Sequence, residues 1–483
     1  MKSMVLSCAA LGALALFAQK QEASEYALAP EAPFEMKAIG VWQAPDREFS
    51  IEEFGAKRGG EEKCTAAFAA AIESCARSGG GRVVVPAGDW LSGAIHLKSN
   101  VALELKEGAK IIFSDEPSDY LPAVPTSWEG VEVLNYSPLL YAYGATNVAI
   151  IGKGTLAPKM DNWRKWFSRP PEHMAFTAKL YDWCSEVAPI EERDALKMPG
   201  SNARPHLIQF NRCTNILLDG FSIRSSPFWT IHLYHSENVV ARNLDVYAHG
   251  HNNDGIDVEM TKNVIIEDCK FDQGDDAVVI KAGRNQDAWA LSRPSENIVI
   301  RNCEIVDGHV LLGIGSEMSG GVRNVYMHDC KMTGNALNIF YMKTNERRGG
   351  FIENIYIKDC EVEAIGKKLP MSVVGIETDV MYQWRNLPTK EVKVTRIRNI
   401  VAENLKANRA KHLVMIYGDA RDEIDGVKID NVICDKIEDE KIIVSHAKNV
   451  TIDGEEIAAK NIPAPKRSGK VKKRQVRLCE ESS

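Results

Sequence analysis

After its first residues the chain has no apolar run long enough to span a bilayer, so no membrane span is expected in its body. It has no surplus of positive charge either. A formal net charge of −7 argues against a general nucleic-acid-binding surface, although a local cluster of Lys and Arg can still receive an acidic ligand. Eleven Cys are present, but without CxxC or Cys/His spacing, and no nucleotide or flavin motif accompanies them. No metal and no cofactor is therefore expected. No recurring helical period separates the strand-like segments, which disfavours a leucine-rich horseshoe or a βαβ sheet. The 45% hydrophobic content suffices for a sizeable core.

Lys2, the apolar residues 5–18 (VLSCAALGALALFA) and the polar QKQEAS after them have the form of an export leader. Residues 1–20 are expected to be a signal peptide, with cleavage after Ala15 or Ala18, and the protein to be secreted or periplasmic. A buried helix or weak anchor is the alternative. Cys8 lies too early in the run for lipid attachment. Residues 459–483 are basic and polar and have the composition of a solvated, disordered tail rather than a binding arm. Residues 46–458 are left as one domain, for which a monomer is favoured.

What the chain does contain is a repeat. Asn followed by a short β-rich apolar segment recurs at Asn215, Asn238, Asn263, Asn297, Asn324 and Asn354, with fainter copies at Asn100, Asn147, Asn399 and Asn449. The strong copies are about 23 to 34 residues apart, a solenoid spacing. Each unit holds short alternating strands bounded by Gly, Asp and Asn, as in ENIVIRNCEIVDG. Parallel coils stacked about 4.8 Å apart are the natural solution. Stacked Asn amides then satisfy one another at a repeated bend, a structural role.

Cys269, Cys303, Cys330 and Cys360 recur in EDC, RNC, HDC and KDC, which predicts a stack of small buried side chains. Cys64 and Cys75 form the one candidate disulfide pair. Residues 64–78 (CTAAFAAAIESCARS) predict a helix ended by the glycines at 79–81, placed to cap the first coil. Residues 156–205, rich in Trp, Pro and charge, interrupt the repeat and predict a long loop walling a cleft.

Four segments fall at near-coil intervals: HNNDGID (251–257), QGDDAVVIKAG (273–283), DGHVLLGIGSE (307–317) and FYMKTNERRGG (340–350). Stacking sets Asp254, the Asp275/Asp276 pair, His309 and Lys343 along one side, with carboxylates about 5 Å apart before lateral offset. Glycoside hydrolysis needs one carboxylic acid for the leaving oxygen, and inversion needs a second carboxylate roughly 6.5–9.5 Å away across a water. Taken singly, Asn-Asp-Gly and Gly-Asp-Asp are turn sequences. Together on one face they repel and raise at least one pKa, which serves a general acid and not a solvated turn. Lys281 is expected as an exposed strand residue in preference to a counter-ion.

These residues resemble the polygalacturonases, glycoside hydrolase family 28, over about residues 49–455. The likeness starts with FGAKRGG, GGGRVVVPAG and LKSN and is most specific in the four segments. NNDG stands for the family's Asn-Thr-Asp-Gly, with Asn253 in place of Thr, and GDD matches outright. Gly308-His309 matches the start of Gly-His-Gly, with Val310 in place of the second Gly. Tyr341-Met342-Lys343 stands where Arg-Ile-Lys is expected.

The resemblance implies an all-β, right-handed, single-stranded parallel β-helix with an N-terminal capping helix, cleaving pectic polysaccharide or oligosaccharide with inversion. By it Asp275 is the general acid, Asp254 and Asp276 activate the water, and His309 tunes the acid or helps hold the sugar. Lys343 binds a substrate carboxylate, with Asn252, Tyr341 and Tyr382 as further substrate contacts. His251, next to the motif, is as well placed for a turn as for a contact. Tyr341 in place of Arg removes a planar bidentate donor and favours a rhamnogalacturonan fragment or other pectic oligosaccharide more than in the family at large. Arg284, Arg323, Arg347 and Arg348 either compensate or are solvated turn charges, and Tyr341 can stack on a sugar face. The insertion and the likeness around KAGRN (281–285) point to exo action. A calcium-dependent pectic lyase and a non-catalytic carbohydrate-binding solenoid are the alternatives.

Overall fold

Alternation decides which side of each short strand is buried. In Ser295–Arg301, Ile298 and Ile300 point into the core, and the strand pairs in parallel with Lys262–Glu267 on one side and Val322–His328 on the other. Repeated along the chain, this gives a right-handed parallel β-helix. The structure is a computed structural model that describes residues 27–28, 31–366, 368–380 and 391–462. Among the described residues one face is an 11-stranded sheet, and a folded 22-stranded sheet makes the rest of the wall.

The 11-stranded sheet carries the site. Its central strands are β1 (Ile231–Tyr234), β2 (Ile256–Glu259), β3 (Val278–Lys281), β4 (Leu312–Ile314), β5 (Phe340–Lys343) and β6 (Ser372–Glu377). Each pairs in parallel with the next.

The recurring Asn residues form a continuous amide ladder. Nδ2 of Asn147 donates to Asn100 Oδ1 at 2.9 Å, and the chain continues through Asn215, Asn238, Asn263, Asn297, Asn324, Asn354 and Asn399. Asn449 ends on Asp425 instead. All sit in the left-handed region, as at Asn297 with φ 59, which Asn tolerates better than most residues. The Cys motif marks a second corner. Asp268, Asn302, Asp329 and Asp359 adopt φ between 52 and 54, and the next residue, a Cys, is buried inside the bend.

Helix α1 (Thr65–Arg77) caps the first coil with Ala67, Phe68, Ala71, Ile72 and Cys75 buried. Gly80 follows it at φ 101, where a Cβ would fall 2.4 Å from Asn100 O. Cys64 and Cys75 are both free thiols, so the candidate disulfide does not form: each sulfur fills the packing beneath the cap.

The 156–205 stretch is not a plain loop. It opens in the strand Thr155–Pro158 and contains helices α2 (Asp161–Lys165) and α3 (Pro171–Glu186), whose apolar side chains demand a partner. Trp163 of α2 joins the main core, and α3 finds its partner in the hairpin Val124–Trp128/Val131–Asn135: Trp128, Val131, Phe176, Leu180, Trp183, Phe228 and Trp229 form a second core. Helix α4 (Asn285–Leu291) packs against α3. No helix among the described residues is long and apolar enough to cross a membrane. Tyr382, residues 1–20 and most of the basic tail lie outside the described residues.

Candidate active site

Register brings the predicted row together. Ile256 pairs with Val278, and Gly255 N donates to Asp276 O at 2.9 Å, so Asp254 and Asp276 are neighbours in adjacent coils. One coil on, His309 N donates to Asp275 O at 2.9 Å. Ile280, Ile314 and Met342 align, which puts Lys281 and Lys343 in one column with Gly315 between them. Gly313, in the same intervening coil, lies beside the row: a Cβ there would stand in ordinary contact, 3.5 Å, with Asp276 Oδ2.

Asp254 and Asp276 have matching environments. Their side chains are only 4% and 3% exposed. Oδ2 of Asp254 lies 3.4 Å from Lys281 Nζ, and Oδ2 of Asp276 lies 3.1 Å from Lys343 Nζ. Oδ1 of each is buried without a hydrogen-bond partner among the described residues. Two such oxygens on neighbouring coils are acceptors suited to hold one water.

Asp275 is different. At 22% it is the most exposed carboxylate of the three, and its Oδ1 accepts from Asp276 N at 3.0 Å and from His309 Nδ1 at 2.9 Å. Burial works to raise its pKa, but the hydrogen bond and charge of His309, with Lys343 and Lys281 behind them, hold it at about 2. His309 moves the other way: burial lowers it, and Asp275 more than offsets this, leaving the imidazole above its ordinary value. Asp254 is pushed up to about 8 by burial, with Asp275 and Asp276 adding to the rise and Lys281 opposing it. Oxygens of Asp275 and Asp276 and a nitrogen of His309 lie within 4.8 Å of one another. Lys343 on Asp276 and the imidazole on Asp275 suit proton transfer better than a divalent ion.

Lys281 is not an exposed strand residue. It is 5% exposed, and Asp257 and Glu317 join Asp254 around its ammonium at 3.4 and 3.5 Å, with the Trp229 ring 4.1 Å away. The hairpin and α3 cover the outward face of β1 and β2, so a residue pointing out of the sheet is still buried. Among the described residues neither oxygen of Asp257 has a hydrogen-bond partner, and burial raises its pKa well above the ordinary carboxylate range. Glu317 is held low against burial by Arg284, Lys281 and Arg348.

The remaining sequence-predicted contacts divide. Arg284 and Arg348 are not solvated: both are buried beside Glu317, Arg284 Nη2 reaching its Oε1 at 2.8 Å. Arg323 pairs with Glu296 on the 22-stranded sheet, away from the row. Tyr341 is buried, and its hydroxyl donates to Glu377 Oε1 at 3.1 Å, so the ring does not present a face for a sugar. Gly375 makes room for it, since a Cβ there would come 3.1 Å from Tyr341 Cδ2. Asn252 stands at the turn before Asp254, half-buried, and accepts from Arg204 Nη2 at 3.0 Å. His251 is exposed. Sequence reasoning missed Asp257, Glu317 and Arg204. The pairing of IDVE with VVIK, which sets Glu259 opposite Lys281, was a usable signal for the first, whereas an Arg between Ala203 and Pro205 gave none.

The sequence profile described as Glycosyl hydrolases family 28 matches residues 192–458. The solved structure of a hyperthermoactive exopolygalacturonase from Thermotoga maritima is 37% identical with a TM-score of 0.78, covering 87% of this chain and 94% of that one. A probable polygalacturonase of Vitis vinifera is 26% identical over 395 residues, 79% of this chain and 73% of the relative. An exo-poly-alpha-D-galacturonosidase of Dickeya chrysanthemi is 24% identical over 404 residues, 79% of this chain and 66% of the relative.

Proposed function

The chain belongs to glycosyl hydrolase family 28 and is a glycoside hydrolase, and from that premise we propose that it hydrolyses α-galacturonosyl bonds of pectic chains with inversion, working from a chain end. The observation that carries the reading is the pairing of Asp254 and Asp276, each with Oδ2 on a lysine and Oδ1 unpartnered among the described residues, beside the half-buried Asp275–His309 pair.

Water held between the two free oxygens attacks the anomeric carbon. Asp276, ion-paired to Lys343, takes its proton, while Asp254 fixes the water from the neighbouring coil. Asp275 protonates the leaving oxygen, because it alone of the three is exposed enough to meet a glycosidic bond. His309 supplies that proton. It holds one above the ordinary histidine value and donates to Asp275 Oδ1, and an arriving uronate adds negative charge that draws the proton onto the carboxylate. Lys343 also serves the substrate carboxylate by charge-assisted hydrogen bonding.

Exo action is supported by the wall of hairpin and α3, which covers the sheet up to the carboxylates on its N-terminal side. The relatives named as exo-acting enzymes support it too. Export to the periplasm or beyond belongs to the same proposal and is supported by the composition of residues 1–20. Product masses from homogalacturonan and rhamnogalacturonan oligomers test the substrate: monogalacturonate released stepwise is expected. Unsaturated products, or full turnover by Asp275→Asn, would overturn it.

A further inference from the structure

Arg204, beside the carboxylate row, is ion-paired to no carboxylate among the described residues. Arg204, at the end of the insertion, is 3% exposed, and its three hydrogen bonds all end on uncharged oxygens. Nη1 donates to Pro227 O at 2.9 Å and His251 O at 2.6 Å, and Nη2 donates to Asn252 Oδ1 at 3.0 Å. Nε is buried without a hydrogen-bond partner among the described residues. The guanidinium lies between the Phe167 and Phe228 rings, 4.5 and 5.0 Å from their centroids. Burial pushes it down to about 9, opposed by Glu129 first and then by Asp254 and Asp275.

A charge buried without a counter-ion beside it is costly, and packing alone between two Phe rings would be served better by Met or Leu. The acceptors indicate the use. His251 and Asn252 immediately precede Asn253 and Asp254, so the guanidinium fork ties the insertion to the turn that carries the carboxylate. Asn253 secures the other flank, its Nδ2 donating to Ser226 O and Phe228 O at 2.9 Å each. Gly250 allows the approach, since a Cβ there would fall 2.4 Å from Phe167 Cε2. Arg has donors only, so the Asn252 atom facing it is the oxygen, and the amide N–H2 is the branch turned from the guanidinium.

We propose that Arg204 is a positioning residue that locks the Asn252–Asp254 turn to the insertion, turns the Asn252 amide so that its N–H2 donates to a uronate sugar, and lends the carboxylate row the positive field that Tyr341 does not supply. It does not touch substrate. The inference rests on the proposed role of Asp254 and makes productive catalysis depend on the same insertion that closes the cleft.

Arg204→Ala and Arg204→Lys test it on whichever pectic oligomer the wild-type chain hydrolyses, with kcat and KM separated. Arg204→Ala should lower kcat roughly 100-fold with KM changing less than about 5-fold, since a misplaced catalytic group costs that much. Guanidinium at tens of millimolar should recover kcat about 10-fold or more, whereas urea, of the same shape without charge, and NaCl at equal ionic strength should not. Arg204→Lys keeps the charge and loses the fork, so kcat should fall about 10-fold with the pH profile unmoved. Full kcat in Arg204→Ala overturns the proposal, as does a loss that urea and guanidinium restore equally or that neither restores. If Arg204→Ala does not fold, Arg204→Lys decides, and undiminished kcat there overturns it. Full turnover by Asp275→Asn in the same series would instead strike the proposed function.

Discussion

Lys281 Nζ stands 3.4 Å from Asp254 Oδ2, inside a shell completed by Asp257, Glu317 and the Trp229 face. The lysine opposes the rise of the Asp254 pKa, so its removal drives that carboxyl further up. Lys281→Met is expected to cost about 3–5 kcal/mol of stability, the range for breaking a buried ion pair. Its rate should depend on pH with the Asp254 ionisation moved to higher pH, whereas Lys281→Arg should keep that ionisation near its original position. Thermal melts and kcat against pH check both. A fall in rate of the same size at every pH would show that Lys281 does not act on Asp254.

His309 and Asp275 predict a pH window. Asp275 is depressed to about 2, so its contribution to stability is complete above the unfolded carboxylate value of about 3.9 and is lost as pH falls toward 2. His309 is raised, so its contribution is complete below about 6.5 and is lost as pH rises through its folded value. The pair therefore stabilises most between about pH 4 and 6.5. The rate should fall on the alkaline side as pH rises through the raised His309 value, once the imidazole has no proton to pass on. In Asp275→Asn the His309 resonance should titrate lower than in the wild-type chain, which imidazole NMR reads directly. An unchanged titration would break the proposed relay.

The coil architecture was legible because its signals are local and periodic. Asn215 to Asn354 mark a bend that only a stack of coils can satisfy, and the EDC, RNC, HDC and KDC motifs mark another. The row from Asp254 to Lys343 followed from the same spacing. The burial of Lys281 is not legible in the sequence, because alternation shows which residues point out of a sheet, not whether something covers that face. The cover is Trp128 with Phe176 and Leu180, whose meeting is non-local. The place of Tyr341 is illegible for a related reason: its direction depends on the space that Gly375 leaves and on Glu377 as acceptor, both one coil further on.

The cysteine corner makes a chemical prediction. Cys269, Cys303, Cys330 and Cys360 are free and buried, and burial raises the Cys269 thiol well above its ordinary value. A thiol buried in the bend is out of reach of a reagent in solution. In the native protein these four should resist a thiol-specific reagent, and among the described cysteines the half-buried Cys434 should react first. Peptide mapping after labelling in native buffer and in denaturant checks this. The melting temperature should not change with reductant, because Cys64 and Cys75 form no bridge. Early labelling of Cys303 would contradict the packing.

Asn297 allows the two contributions of the ladder to be separated. Its Nδ2 donates to Asn263 Oδ1 at 3.1 Å, its Oδ1 accepts from Asn324 Nδ2 at 3.0 Å, and its φ is 59. Asn297→Gly keeps the left-handed backbone and removes both hydrogen bonds, leaving Asn263 and Asn324 each with an unmatched amide atom. A loss of about 1–3 kcal/mol is expected. Asn297→Ala removes the same bonds and also places a Cβ in the left-handed region, which costs roughly 1–2 kcal/mol. Glycine's greater freedom in the unfolded chain takes back about 0.4–1 kcal/mol of that difference. Ala should therefore be less stable than Gly by up to about 1.5 kcal/mol, the reverse of their order in a strand interior. Denaturant midpoints of the two variants decide it: if Ala proves the more stable, the bend at Asn297 is not held in the left-handed conformation, and the ladder alone accounts for the repeat.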